Sequence, residues 1–146
     1  MFLDLRDRPD EVWFHELGRK VNQWDLTRFV CEPPLQVMTF YSPFLPWYVE
    51  ARSSNPSGLT LEEMFRAIWQ CMQMPITNED WYNTEMDDLA RAKIGDAWDV
   101  RCGDNMAERQ KGVKRVDFLM GRVVMEGLLR GRDGMFELKL KKGTVQ

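Results

Sequence analysis

The sequence has one histidine, three cysteines and no long apolar run, and each scarcity excludes a class of protein. With His15 as the only imidazole, most templates for Ser-His or Cys-His catalysis are excluded. Cys31, Cys71 and Cys102 are odd in number and contain no CxxC pair, so neither a disulfide framework nor a zinc motif is expected. No stretch approaches the roughly 18 apolar residues that span a bilayer. These features predict a cytoplasmic or nuclear protein without a membrane partner.

The sequence also lacks an excess of positive charge. The net charge is -3 and the pI is about 5.3, which makes nucleic acid an unlikely partner. No P-loop, dinucleotide or EF-hand pattern is present, so we expect no metal and no cofactor. The local exception is the stretch 101–132, where eight basic residues oppose four acidic ones: Arg101, Arg109, Lys111, Lys114, Arg115, Arg122, Arg130 and Arg132 against Asp104, Glu108, Asp117 and Glu126.

Bulky apolar residues are plentiful. Hydrophobic residues make up 44% of the 146 residues, which is enough for one domain with a proper core. The 6 tryptophans and 10 methionines favour a large, irregularly packed core, and the alternative is a Trp- and Met-lined groove for a ligand or partner.

The first segment has the pattern of a short helix from Asp7 to Val21. Trp13, Phe14 and Leu17 would form an apolar face on it, available for docking on the domain or on another copy. We therefore divide the chain into an N-terminal helical or extension segment of residues 1–22 and a single α+β domain of residues 23–146.

Extended structure is predicted next, for Trp24–Phe29, Leu35–Tyr41 and Trp47–Arg52. Pro43 and Pro46 bracket a tight bend between the second and third of these strands.

Two helices are predicted in the middle of the chain. Thr60 and Glu63 form a capping box, and Pro75 ends the helix that follows. Its apolar face comprises Leu61, Met64, Phe65, Ile68, Trp69 and Met72. The second helix is predicted to begin at Thr77 and to run to Cys102, with an acidic solvent side of Glu79, Asp80, Glu85, Asp87, Asp88, Asp96 and Asp99.

The last third is predicted to be β, with strands at Val113–Leu119, Arg122–Leu128 and Met135–Lys141. On the first of these, Arg115 and Asp117 would share a face, as a surface ion pair or as part of an interaction edge.

Together these elements predict an α+β fold, with an antiparallel or mixed sheet of four or five strands and two or three helices packed on one face. Since no catalytic spacing is present, the sequence favours a protein-binding or self-assembly module, such as a homodimer, over an enzyme. One alternative is a small-ligand carrier or enzyme with a Trp- and Met-lined pocket that uses buried carboxylates such as Asp25, Glu50 or Asp117. A third hypothesis is RNA binding by the basic C-terminal third.

Four stretches carry a family resemblance. They are Trp24-Asp25-Leu26, the segment 45–51 (LPWYVEA), the segment 59–64 (LTLEEM) and the segment 112–119 (GVKRVDFL). In order and spacing they resemble an uncharacterised domain family that is expanded in mushroom-forming (basidiomycete) fungi, over roughly residues 24–140. The resemblance implies a fungal intracellular protein, and it brings no established activity and no functional residue.

Overall fold

A computed structural model of the chain describes residues 3–6, 13–14, 19–20, 22–83 and 85–143. These residues form an α+β fold around a five-stranded mixed sheet of order β1-β6-β7-β4-β5, with a separate pair of two-residue strands, β2 and β3. The predicted fold class is confirmed. The strands are β1 (Leu3–Asp4), β2 (Trp13–Phe14), β3 (Arg19–Lys20), β4 (Val37–Tyr41), β5 (Val49–Arg52), β6 (Val124–Arg130) and β7 (Phe136–Lys141).

Two antiparallel hairpins make up most of the sheet. One joins β4 to β5, and the other joins β6 to β7 with a register shift between Met125 and Gly127. The hairpins meet through a parallel pairing of β4 with β7, in which Phe40 lies opposite Phe136. Strand β1 pairs with β6 at the far edge, and its Leu3 is buried.

Five helices and one 3₁₀ helix complete the described residues: α1 (Gln23–Leu26), α2 (Leu61–Met72), α3 (Asn78–Trp81), α4 (Asp88–Cys102), α5 (Met106–Lys111) and the 3₁₀ helix (Arg115–Leu119). Helix α2 packs on β5, and α4 packs on the 3₁₀ helix. Within the part of the chain that the structure describes, no helix has the length and hydropathy of a membrane span.

Helix α2 shows how directly local sequence determines this fold. The Thr60 hydroxyl accepts a hydrogen bond from the Glu63 amide at 3.3 Å, and the Glu63 carboxylate accepts one from the Thr60 amide at 3.1 Å. This predicted capping box satisfies two amides that the first turn leaves without a partner. The buried face comprises Met64, Phe65, Ile68 and Met72.

The core lies between this helix and the sheet. Phe40, Phe65 and Met125 are fully buried, and Leu138 contributes from β7. Each fully buried side chain of this size stabilises the fold by about 1.5–3 kcal/mol relative to exposure. Phe136 and Leu140 are only partly buried against this core.

The prediction of a helix from Asp7 to Val21 is wrong at the residues of this range that the structure describes, 13–14 and 19–20. Trp13 pairs with Lys20 and Phe14 with Arg19 in an antiparallel ladder. Aromatic residues favour strands, and two adjacent aromatics match a pleated ribbon as well as one helical turn, so the local pattern was ambiguous.

The strand predicted at Trp24–Phe29 is also wrong. Asn22 and Asp25 form a reciprocal capping box with two hydrogen bonds of 3.0 Å, and it begins α1 at the point where a strand was expected. Asparagine is a strong helix cap, and this signal outweighs the β propensity of the residues that follow.

The strand predicted at Val113–Leu119 is replaced by the 3₁₀ helix, although Val113 and Val116 are β-branched. Asp117 accepts a hydrogen bond from the Lys114 amide at 2.9 Å, which closes the turn. Arg115 and Asp117 therefore do not share a strand face. The other two predicted C-terminal strands are confirmed as β6 and β7.

The long helix predicted between Thr77 and Cys102 is divided into α3 and α4. Asp87 begins α4 by accepting a hydrogen bond from the Ala90 amide at 2.7 Å. An aspartate two residues before the apolar Leu89 was a second cap signal within the predicted helix.

Candidate functional site: an apolar groove with an acidic rim

One wall of the site is the bend between β4 and β5. The Ser42 hydroxyl accepts a hydrogen bond from the Phe44 amide at 3.2 Å, and the Ser42 backbone carbonyl accepts one from the Leu45 amide at 3.0 Å. Pro43 and Pro46 flank this turn, as predicted. The turn directs Leu45 into the core at 8% exposure and leaves Phe44 37% exposed.

Arginines from the C-terminal third cover the aromatic rings of this bend. Tyr41 and Phe44 are three residues apart, and each has a guanidinium over its ring. Arg132 lies 5.2 Å from the Tyr41 centroid and Arg122 lies 4.8 Å from the Phe44 centroid. Cation–π contacts of this kind each contribute about 0.5–1 kcal/mol at exposed sites. They attach the bend to the segment around β6 and β7.

Trp47, three residues further along, is covered in the same way. The Arg115 guanidinium lies 4.6 Å from the centroid of Trp47, and its Nη1 is 3.3 Å from the sulfur of Cys71. The Trp47 ring in turn packs on Phe118, with 4.8 Å between the ring centroids.

The opposite wall is the connection between α3 and α4. The Asn83 side-chain oxygen accepts a hydrogen bond from the Glu85 amide at 2.9 Å. Arg91 reaches back from α4 and donates to the carbonyl oxygens of Trp81 at 2.8 Å and Asn83 at 3.3 Å. These bonds fix the acidic residues of the connection relative to α4.

Between the two walls lies a groove of about 460 Å³. Its floor is apolar and includes Leu45, Met86, Ile94 and Phe118. Its rim carries three carboxylates, those of Asp80, Glu85 and Asp87. Because α3 and α4 are separate helices, these acids lie beside an apolar floor as well as facing solvent. An apolar floor with a ring of one charge is typical of a recognition groove.

A buried ion pair holds the 3₁₀ helix that supplies Phe118. Arg101 donates to Asp117 through Nε at 2.8 Å and through Nη2 at 3.0 Å. Arg101 also bonds Glu108 at 2.9 Å. Burial lowers the pKa of Arg101, but the hydrogen bonds and charge of Asp117 offset this effect, and the pKa lies above its ordinary value.

Glu108 connects this pair to two lysines. It accepts hydrogen bonds from Lys111 at 2.9 Å and from Lys114 at 3.2 Å. The bond from Lys111, and then the bond and charge of Lys114, lower the pKa of Glu108 to about 2, although burial acts against the shift. Glu108 therefore stays charged well below neutral pH.

The structure places only some of the predicted interaction residues. Arg115 lies on Trp47 beside the groove, and Asp117 is buried at 2% exposure in its pair with Arg101. Trp13 and Phe14 are in β2, and their side chains lie outside what is described, as does Leu17 altogether. A role for any of these five residues in binding a partner stays a prediction.

A second hollow of about 300 Å³ includes Asp117 in its lining, together with Val116 and Met120. Of the other carboxylates considered for acid–base chemistry, Asp25 is buried in its capping box and Glu50 is exposed. Both oxygens of Asp117 already accept hydrogen bonds from Arg101, and one also accepts the Lys114 amide. Among the described residues that line either hollow there are methionines but no tryptophan.

The described ranges contain no group of three His, Cys, Asp or Glu residues arranged to hold a metal ion. The groove residues Phe44, Met86 and Phe118 were not singled out by sequence, because the groove forms only when segments about 40 and 75 residues apart pack together. The signals in the sequence were the bend between Pro43 and Pro46 and the acidic residues of the second predicted helix.

Comparison with known proteins gives a family and no activity. Neither a search of curated proteins nor a search of solved structures found a match. A family model matches residues 1–134, which is most of the chain and includes the strand β1 that precedes the resemblance noted from sequence. The chain belongs to this family, which is described as a family of unknown function (DUF6699).

Proposed function

We propose that the protein is a protein-binding module whose groove holds a segment with an apolar side chain next to basic ones. The observation that carries the proposal is the composition of the groove. The groove has a volume of about 460 Å³, with an apolar floor beneath the carboxylates of Asp80, Glu85 and Asp87. An apolar anchor would bury against Leu45 and Phe118, and flanking guanidinium or ammonium groups would reach the rim.

Electrostatics support a basic partner over an acidic one. The rim has three carboxylates on the α3–α4 wall. The cation Arg122 lies over Phe44 on the opposite wall, at the bend between β4 and β5. Charge complementarity of this kind speeds association and selects partners more than it adds affinity. The interaction is expected to weaken as salt rises, since exposed charges are screened within about 8–10 Å.

The basic C-terminal third supports protein contacts more than RNA binding. Seven of the eight basic residues between 101 and 132 engage a carboxylate or an aromatic ring of the same chain: Arg101, Arg109, Lys111, Lys114, Arg115, Arg122 and Arg132. A phosphate backbone would have to compete with these contacts.

Catalysis has less support than binding. Within the described residues, Asp117 is the buried carboxylate in the lining of the two hollows, and its oxygens are held by Arg101 and the Lys114 amide. A general acid or base needs an oxygen within hydrogen-bond reach of a substrate proton. The geometry of Asp117 is that of a structural clamp.

The test is fluorescence anisotropy with a labelled peptide, GSRLRSG, against its acidic counterpart, GSELESG. The variant Asp80→Asn/Glu85→Gln/Asp87→Asn removes the rim charge and keeps an oxygen at each position, so the caps of α3 and α4 keep their acceptors. We expect the basic peptide to bind the wild type, and the variant to lose most of this binding.

The matched control neutralises three exposed acids outside the groove, Glu32→Gln/Glu50→Gln/Asp104→Asn. It makes the same change in net charge and should bind the basic peptide as the wild type does. Equal binding by both triple variants, or equal binding of both peptides, would overturn the proposal.

We also propose that the protein acts in the cytoplasm or nucleus of a mushroom-forming fungus. The three free cysteines Cys31, Cys71 and Cys102 support a reducing compartment. A fluorescent fusion of the chain that enters the secretory pathway would contradict this location.

A further inference from the structure

The connection between β6 and β7 has the composition that the groove requires. We define the hairpin tip as residues 129–134. It contains Leu129, an exposed aliphatic side chain at 44%, directly before Arg130, and Arg132 follows two positions later. Both arginines are exposed, and the tip carries one acid, Asp133. An apolar residue followed closely by two guanidiniums is the pattern that an apolar floor with an acidic rim would bind.

The hairpin tip is held in one shape. The Gly131 amide donates to the Met135 carbonyl and the Met135 amide to the Arg132 carbonyl, both at 2.9 Å. A side chain at Gly131 would collide with the ring of Tyr41. The tip therefore presents Leu129 and Arg130 with little conformational freedom to lose on binding, which favours affinity.

The hairpin tip lies beside the groove of its own chain without entering it. Arg132 is 5.2 Å from the Tyr41 ring, and Tyr41 is three residues before Phe44, which lines the groove. No described residue of the tip is part of the groove lining. The hairpin tip and the groove therefore lie next to each other on one side of the molecule.

We propose that the partner segment is the hairpin tip of a second copy of this chain. Two copies related by a two-fold axis each place their hairpin tip in the groove of the other. One rotation forms both contacts, because the tip and the groove lie side by side on each copy. Leu129 and Arg130 are consecutive residues of β6, so their side chains point to opposite faces of the ribbon. In the dimer, Leu129 meets the floor at Leu45 and Phe118 on one face, and Arg130 meets the carboxylates of Glu85 and Asp87 on the other. This inference rests on the proposed function and names its partner.

A charge exchange between the two surfaces tests the geometry. The tip variant is Arg130→Glu/Arg132→Glu, and the groove variant is Asp80→Asn/Glu85→Lys/Asp87→Asn, which leaves a net positive rim and keeps the cap acceptors of α3 and α4. A homodimer of either variant brings like charges together in both of its contacts. Acidic tips meet acidic grooves in the tip variant, and basic tips meet basic grooves in the groove variant. In a mixed pair, an acidic tip meets a basic groove and a basic tip meets an acidic groove, so both contacts are restored.

The measurement is sedimentation velocity over a dilution series, with a protomer of 17.3 kDa. We expect the wild type to dimerise reversibly, and each variant alone to dimerise at least about thirtyfold more weakly, as for loss of a close interfacial charge pair. An equimolar mixture should recover a dimer. The control Arg28→Glu/Lys142→Glu reverses two exposed cations outside the tip and should dimerise like the wild type. Matching circular dichroism and urea transitions establish that each variant is folded.

The outcomes separate the two proposals. A wild type that stays monomeric, or a dimer that neither variant weakens, overturns the tip-in-groove dimer. If the basic peptide still binds the rim in either case, the proposed function stands and only the identity of the partner is wrong. If the dimer behaves as expected, the basic peptide should also dissociate it. A dimer that the peptide leaves intact places the interface elsewhere and overturns the inference.

Discussion

Removing the Asp117 carboxylate is expected to be among the most damaging single changes to this fold. Asp117→Ala deletes the acceptor of hydrogen bonds of 2.8 and 3.0 Å from Arg101 and of 2.9 Å from the Lys114 amide. The Arg101 side chain is 8% exposed, so water cannot replace the lost partner. The variant thus keeps a buried guanidinium without its principal counter-ion.

Loss of one partner of a buried ion pair costs about 3–5 kcal/mol. Arg101 keeps its bonds to Glu108 at 2.9 Å and to the Gly112 carbonyl at 3.2 Å, so we expect the lower end, about 3 kcal/mol. In a domain of this size each 1 kcal/mol lowers Tm by about 2–4 °C, which gives a decrease of about 6–12 °C.

The assay is urea unfolding followed by tryptophan fluorescence, with the slope of the transition checked for two-state behaviour. Asp99→Ala is the control, because Asp99 forms a more exposed pair with Arg109 and should cost less than about 1 kcal/mol. The double variant Arg101→Met/Asp117→Leu should be more stable than Asp117→Ala, since it leaves no unpaired charge. The reasoning fails if Asp117→Ala costs no more than Asp99→Ala.

Three further predictions concern α2 and the charged network. Phe65→Ala should cost about 3–5 kcal/mol by urea unfolding, because Phe65 is fully buried beneath the sheet. Thr60→Ala should cost about 1 kcal/mol and Thr60→Ser almost nothing, because serine keeps the cap acceptor for Glu63. The pKa of Glu108 falls from 4.5 to about 2 on folding, so its contribution to stability is complete above pH 4.5 and is lost as the pH falls towards 2. Glu108→Gln should therefore flatten the dependence of Tm on pH across that interval, and an unchanged profile would contradict the role of Glu108.

Sequence predicts this fold best where the determining contacts are local. The capping box of Thr60 and Glu63 and the 3.6-residue apolar period of α2 lie within 13 residues, and both are confirmed. The strands β6 and β7 and the turn between them follow the same rule. Each of these elements has a signal that no distant contact overrides.

Prediction fails at residues 113–119 for the opposite reason. The β-branched Val113 and the alternation of Val116 and Phe118 favour a strand, but Asp117 pairs with Arg101, which is 16 residues away. The 3₁₀ turn allows Asp117 to accept the hydrogen bonds of Arg101. The residues next to position 117 do not reveal this contact, because Arg101 is distant in sequence. The groove is of the same kind. Its bend and its acidic residues were each recognised from sequence, but their meeting over Phe118 depends on how α4 packs on the 3₁₀ helix.

The parallel pairing of β4 with β7 has a consequence for biosynthesis. β7 lies in the middle of the sheet, yet a ribosome makes it after every other strand. Until residues 136–141 emerge, the β4–β5 hairpin has no neighbour on its inner side and β6 has no hairpin partner. The nascent chain therefore carries unpaired strand edges through most of translation, a state that favours aggregation and chaperone binding. The five-stranded sheet can be completed only after its central strand has emerged.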